Sequence, residues 1–419
     1  MVKAVRGMRD ILPAHTERWR RVETSILQML RSYSYAEVRL PLLEYTELFA
    51  RGVGEATDII EKEMYSLADR DGDSLSLRPE GTASCVRALE EHGFLYNQTQ
   101  RVFYAGPMFR YEKPQKGRYR QFSQIGAEAY GFAGPDVDAE LIALGYACWQ
   151  QLGITDRVHL QLNTLGSGAA RVAFRQALMD YLQPHAEALD PDSQRRLQTN
   201  PLRILDSKVA ATQAIVKDAP QLIDFVDAEG LEHFQALQEL LQQLGIPFQL
   251  NPNLVRGLDY YTHTVFEWVT DDLGAQGAVC AGGRYDGLVE RLGGRDTPAV
   301  GFAIGLDRVV LLHELAHPDL SDNSADVYIC VTSAEALSAA MQLGQQLRGA
   351  APGLRVRVHM GGGQLKKQFK RADATGATWA VLCGAENQDD ELVIKHLRDA
   401  AIGQRQLPVA EALMQLQQI

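Results

Sequence analysis

The stretch Phe109-Arg110-Tyr111-Glu112-Lys113-Pro114-Gln115-Lys116-Gly117-Arg118-Tyr119-Arg120-Gln121-Phe122-Ser123-Gln124-Ile125-Gly126-Ala127-Glu128 decides how this chain is read. It spans two strand-like runs, residues 100–111 and 118–130, joined by a loop rich in Pro, Gln, Lys and Gly. That is the pattern of an antiparallel hairpin with a long positive tip. Side chains alternate along a strand, so Arg120, Phe122, Gln124, Gly126, Glu128 and Tyr130 share one face. A cation, an amide, a position without a side chain and a carboxylate in a row are not what a core needs, although a solvated face would also look polar. Arg110 on the partner strand comes beside this row in an antiparallel pairing, which shifts the reading toward a site.

Working outward, four further segments carry polar residues among glycines. Arg78-Pro79-Glu80-Gly81-Thr82 follows a strand-like run at 74–77 and opens a helical one. Residues 254–261, Leu-Val-Arg-Gly-Leu-Asp-Tyr-Tyr, hold Arg256, Asp259, Tyr260 and Tyr261, and residues 280–287 hold Gly282, Gly283, Arg284 and Tyr285. Residues 301–308 run from a strand into a helix and set Arg308 on its first turn. Taken singly, each reads equally well as a turn or a surface ion pair, and Gly361-Gly362-Gly363 reads as a turn. Neither GxxxxGK[ST] nor GxGxxG is present, so a bound nucleotide would have to be held by arginines on an antiparallel sheet. The planar fork of arginine suits phosphate, and Arg110, Arg256 and Arg308 could spread charge over a triphosphate.

The whole chain sets the frame. Its 419 residues predict two or three domains, and 46% hydrophobic with 23% charged residues is ordinary globular composition. A net charge of −11 argues against a general nucleic-acid coat. Residues 101–121 and 355–371 run against that average, with Arg101, Arg110, Lys113, Lys116, Arg118 and Arg120 in the first and Arg355, Arg357, Lys366, Lys367, Lys370 and Arg371 in the second. Five well-separated cysteines without a CxxC pair predict buried, reduced thiols. With no apolar run of membrane length and no signal-peptide core, a cytoplasmic location with no membrane contact is expected.

Apolar residues at helical spacing predict a helix over 16–33, followed by a strand at 37–43 that Pro41 confines to an edge or interface. Strands are expected at 264–270, 276–281 and 299–303, with a helix from about Gly305. Residues of about 165–250 read as a helical insertion broken at Pro184, Pro191 and Pro201. A polar linker to about Asn323 then leads to alternating strands and helices, a small α/β unit with a mainly parallel sheet.

Together these segments resemble class II aminoacyl-tRNA synthetases, and among them the histidyl-tRNA synthetases, over essentially the whole chain. Residues 37–43 resemble the class's first motif, 109–112 with 117–122 the second, and 301–308 the third; residues 254–262 and 281–289 are particular to the histidine group. The resemblance implies an α+β fold: a class II antiparallel sheet flanked by helices over residues 1–324, with the helical insertion, and an α/β anticodon-binding domain over 325–419. It implies a homodimeric histidine–tRNA ligase that forms histidyl-adenylate from L-histidine and ATP with Mg²⁺, then charges tRNA(His). No protein side chain is assigned to a metal. Arg110 and Arg256 would act as catalytic groups at the α-phosphate, Arg308 at the γ-phosphate, and Glu112 at the adenine or the tRNA end. Glu80, Thr82 and Gln124 would hold the amino group of histidine, with Gly81 among the histidine-binding residues. Glu128, Tyr260, Tyr261 and Tyr285 would enclose its imidazole. Lys113, Gln115, Lys116, Arg118 and Arg120 would meet the acceptor stem, and Lys366 and Lys367 the anticodon region. Tyr111, Lys113, Ser123 and Asp307 stand where His, Arg, His and Glu are frequent in bacterial members. Lys113 weakens inference about acceptor-stem contacts, since lysine lacks arginine's bidentate fork.

Three alternatives differ in sequence terms. A histidine-binding regulatory paralogue would be expected to lack residues 325–419 and the ATP-site arginines, which are present here. A synthetase for proline or threonine is opposed by the segments at 254–262 and 281–289. A pure RNA-binding module would not need Glu80, Gln124 and Glu128.

Overall fold

The computed structural model describes every residue except 1, 55–56, 206, 208, 275–276, 319–323, 385–390 and 418–419, and residue 417 by backbone only. The chain divides into two compact units, Met1–Ile11 with Trp19–Pro318, and Leu12–Arg18 with Asp319–Ile419. The expected linker residues 319–323 lie outside the described ones.

The first unit is organised by an eight-stranded sheet in the order Ala36–Glu37, Gln100–Phe109, Gln121–Tyr130, Ala299–Gly305, Ala278–Arg284, Thr262–Val269, His159–Thr164, Phe248–Leu250. Its six inner strands pair antiparallel, and the two end pairings are parallel. The hairpin forms as its alternation predicts, in a register that sets Tyr104 opposite Gly126 and Gly106 opposite Gln124. The helix Pro13–Ser32 starts three residues before the expected start at 16, because proline is preset for a first helical turn. Val22, Ile26 and Leu30 of that stripe are fully buried against the sheet's core.

The strand expected at 37–43 is broken. Ala36–Glu37 ends the large sheet, and Leu43–Tyr45 belongs to a separate three-stranded sheet with Ser74–Leu77 and Tyr65–Ala68. Pro41 lies in the gap, where it has no N–H to give a ladder. The carbonyls of Leu40 and Pro41 instead accept hydrogen bonds from Arg78 Nη1 at 3.1 and 3.3 Å, while Arg78 Nε donates to Pro107 O at 3.0 Å.

Residues 165–250 are mainly helical: Gly168–Leu182, Pro191–Thr199, Ala210–Val216 and Ala228–Gln243, with 3-10 turns between. Pro184, Pro191 and Pro201 sit in the first two positions of new segments, starting them as well as ending their predecessors. Phe234, Leu237 and Leu241 of the last helix enter the same core as the large sheet.

The second unit has a five-stranded sheet ordered Val356–Val358, Val327–Val331, Trp379–Cys383, Glu391–His396, Gln404–Pro408. Only its first two pairings are parallel; the last two strands add an antiparallel hairpin, so the sheet is mixed rather than mainly parallel. Gln404–Pro408 is polar and largely exposed, which hid it from hydrophobic patterning. All five cysteines are buried and unpaired. Among the described residues no helix is long and apolar enough to cross a membrane.

Arg284 and Asp138 form a buried ion pair between the Ala278–Arg284 strand and the helix Pro135–Gln151, with side chains 1% and 0% exposed. Arg284 also donates to the carbonyls of Phe132 and Gly134. Asp138→Asn removes the counter-charge and should destabilise the chain by about 3 kcal/mol, read as a lower urea midpoint; a loss below about 1 kcal/mol would mean that the two carbonyls suffice.

Candidate active site

One pocket in the first unit gathers residues from the hairpin and from the four glycine-bearing segments at 78–82, 254–261, 280–287 and 301–308: Glu80, Arg110, Glu128, Arg256, Tyr285 and Arg308 among them. At one end Glu128, 1% exposed, accepts hydrogen bonds from Tyr285 Oη at 2.5 Å, Thr82 Oγ1 at 2.8 Å and Tyr104 Oη at 3.1 Å. Burial pushes its carboxyl up to about 8, against the opposing pull of those hydroxyls. Glycines make the space. A Cβ on Gly301 would fall 1.7 Å from Glu128 Oε2, and a Cβ on Gly81 or Gly126 would each fall 2.2 Å from the ring of Tyr104.

Glu80 is buried and caps the helix Thr82–Glu91, accepting the N–H groups of Thr82 at 2.7 Å and Ala83 at 2.9 Å. Burial raises its pKa, and the two backbone bonds and Arg110 lower it. Gln124 lines the pocket with its Oε1 buried and without a hydrogen-bond partner, a polar atom that a ligand could satisfy. Tyr260, Tyr261 and Tyr285 pack edge to face or tilted, with centroids 4.7 to 6.5 Å apart, and wall off the same end.

The other end is cationic. Arg110 Nε donates to Pro79 O at 2.9 Å and its guanidinium lies 5.3 Å from the Phe122 ring centroid. Arg308 Nε donates to Gly117 O at 2.9 Å and Nη1 to Ala278 O at 2.5 Å; burial, then Arg110 and Arg118, bring its pKa down to about 10. Arg256 is paired with Glu267, its Nε is buried without a partner, and its guanidinium lies 5.4 Å from the Tyr261 ring. Glu112 pairs with Arg118, and Asp307 accepts Arg9 Nη2 and the N–H of Ser123, both at 2.8 Å. Among the described residues no group of three His, Cys, Asp or Glu side chains could hold a metal ion.

The tip divides. Lys113, Gln115 and Lys116 are exposed, whereas Arg118 lines the pocket and Arg120 stacks 3.7 Å over the Tyr111 ring. In the second unit Lys366 and Lys367 are exposed on the helix Leu365–Ala374. Arg355 of the same basic stretch is engaged by Asp326.

Sequence reasoning missed Tyr104 and Glu267. Tyr104 sits in an apolar-looking strand, and only its register opposite Gly126 could have flagged it. Glu267 lies between Phe266 and Trp268 on the Thr262–Val269 strand, where strand patterning alone gives it no role.

A carboxyl held above its ordinary range keeps a proton in the folded chain that the unfolded chain has released. That stabilisation is full at low pH and is lost as pH rises through about 8. Glu128→Gln should therefore flatten part of the decline in urea stability between pH ~5 and ~8; slopes equal to the parent chain would exclude this role for the carboxyl.

A family model described as histidyl-tRNA synthetase matches residues 7–309, and one described as an anticodon binding domain matches 326–419. The crystal structure of apo histidyl-tRNA synthetase from S. aureus is 32% identical, superposes with a TM-score of 0.79, and the match covers 100% of both chains. That of the histidyl-tRNA synthetase from Nostoc sp. is 20% identical with a TM-score of 0.74, covering 99% of each. An ATP phosphoribosyltransferase regulatory subunit/histidyl-tRNA synthetase from Bacillus halodurans is 23% identical with a TM-score of 0.67, over 91% of this chain and 98% of that one. At those identities the last two speak for the fold alone. With its helix-flanked mixed sheet, its separate anticodon-binding unit and a family match over most of its length, the chain belongs to the histidyl-tRNA synthetase family of class II aminoacyl-tRNA ligases.

Proposed function

We infer that this one pocket carries both half-reactions of a histidine–tRNA ligase. The observation that supports this most is the pairing, in one cavity, of a buried carboxylate end with an arginine end. Glu128, ringed by Tyr260, Tyr261 and Tyr285, offers an imidazole N–H an acceptor. A site built on such a bond can reject analogues lacking it by ~10⁴ or more without an editing step. Glu80, Thr82 and Gln124 hold the α-amino group, with Gly81 leaving room for Tyr104. The carboxylate of histidine then attacks the α-phosphate of ATP in line, the bond to the bridging oxygen breaks, and pyrophosphate leaves. Arg110 and Arg256 flank the α-phosphate, Arg308 meets the γ-phosphate, and Glu112 the adenine or the tRNA end. Their contribution is positioning and stabilisation of charge in a partly dry site.

Mg²⁺ would come with ATP and supply neutralising charge to the leaving pyrophosphate; no side chain of the chain is assigned to it, since the pocket carboxylates Glu112 and Glu267 are paired with Arg118 and Arg256. In the second step the 3′-hydroxyl of tRNA(His) attacks the activated carbonyl and AMP leaves. The exposed Lys113, Gln115 and Lys116, with Arg118 and Arg120 behind them, face the acceptor stem, and Lys366 and Lys367 the anticodon region. In this reading residues 1–324 are the catalytic domain and 325–419 the anticodon-binding domain. The exposed Leu42, Leu43, Tyr45 and Leu67 at the small sheet support a homodimer interface there. Five unpaired cysteines suit a reducing cytoplasm. A histidine-binding regulatory paralogue would have no use for the three pocket arginines.

Histidine-dependent ATP–pyrophosphate exchange tests the reading directly, and its absence from the parent chain would defeat it. Arg256→Ala should slow pre-steady-state adenylation by ~10² or more, and an unchanged rate would sink its role at the transition state. Lys366→Glu with Lys367→Glu should raise the KM for tRNA while exchange persists; loss of both would contradict an anticodon-side role.

A further inference from the structure

Residues 254–261 line the pocket through Arg256, Leu258, Tyr260 and Tyr261, yet they form neither helix nor strand. A loop without a ladder must find other partners for its backbone groups. Two of them come from the helical segment. Arg171, on the first turn of Gly168–Leu182, donates from Nη2 to Asp259 O at 3.2 Å and from Nη1 to Tyr261 O, the carbonyls on either side of Tyr260. The fixed fork of a guanidinium can bridge two such acceptors, which a lysine ammonium on a flexible stem does less well.

Neighbouring contacts run the same way. Asn200 Nδ2 donates to Asp259 Oδ1 at 3.4 Å, and the N–H of Asp259 is bound by Val53 O at 3.1 Å. Arg196 and Arg203 pair with Asp58 at 3.3 and 3.7 Å, and the Arg203 guanidinium lies 3.5 Å from where a Cβ on Gly257 would be. None of these four side chains from the helical segment is among the pocket-lining residues. Arg171, Asn200 and Arg203 thus meet the loop that carries Arg256 and both tyrosines, whereas Arg196 meets Asp58.

We propose that Arg171 is a positioning residue, through which the helical segment holds residues 256–261 in the geometry that closes the histidine end of the pocket. The proposal rests on the reading of this pocket as the histidine and ATP site.

The test uses the full chain in histidine-dependent ATP–pyrophosphate exchange, with Arg171→Met, Arg171→Lys and, as a control one helical turn on, Arg175→Met, alongside amide hydrogen exchange. Arg171→Met should raise the KM for histidine at least about tenfold, Arg171→Lys should fall between it and the parent, and Arg175→Met should match the parent. Amides of residues 254–261 should exchange faster in Arg171→Met while those of the strand Gln121–Tyr130 keep their protection. A folded Arg171→Met with the parent KM would overturn the proposal. So would protection lost equally along the hairpin, which would make Arg171 a general stability residue. A parent chain without exchange would overturn the reading of the pocket itself, and the proposal with it.

Discussion

A carboxylate cut off from water must be met by donors or give up its charge, and Glu128 places that demand at the centre of the large sheet. The three hydroxyls that answer it come from different parts of the chain: Thr82 opens a helix, Tyr104 belongs to the first hairpin strand, and Tyr285 follows the Ala278–Arg284 strand. Satisfying one buried group therefore fixes three segments in relation to a fourth. The buried pair of Arg284 and Asp138 anchors the strand just before Tyr285, so the tyrosine's aim is set from both sides.

The arginine end obeys the opposite constraint. Burial, and after it the nearby Arg110 and Arg118, depresses the pKa of Arg308, and such proximity of like charges costs free energy unless an anion arrives. The fold limits the cost by giving every cation a partial partner: a carbonyl for Arg110, two for Arg308, a carboxylate for Arg118 and for Arg256. A polyanionic ligand would gain most where these partners are weakest. The pocket thus concentrates positive charge at one end and sets a buried carboxyl ringed by tyrosines at the other.

What was legible in the sequence was what alternation and glycine spacing encode. The hairpin, the polar face from Phe122 to Glu128 and the strand leading into Arg308 all follow from residues near in sequence. Pro41 signalled an edge, but not that the chain would leave one sheet for another there, because that outcome depends on Arg78 taking its neighbours' carbonyls. Tyr104, Glu267 and Arg171 could not be read locally. Each acquires its place from a partner on another segment, 11 residues away for Glu267, 24 for Tyr104 and 88 and 90 for Arg171. Arg118 was grouped with the basic tip by proximity, yet its side chain turns back to Glu112 and the pocket.

Gly81, Gly126 and Gly301 carry no side chain, and that narrows the routes by which this pocket can drift. Any codon change away from glycine at these points puts an atom into Tyr104 or Glu128, whatever the new side chain is. Gradual enlargement or shrinkage of the amino-acid end is therefore closed off along these strands. Replacing Glu128 itself would strand the hydroxyls of Thr82, Tyr104 and Tyr285 that now converge on it. The shape of this end is held as much by an absence of neutral neighbours in sequence space as by the hydrogen bonds to Glu128.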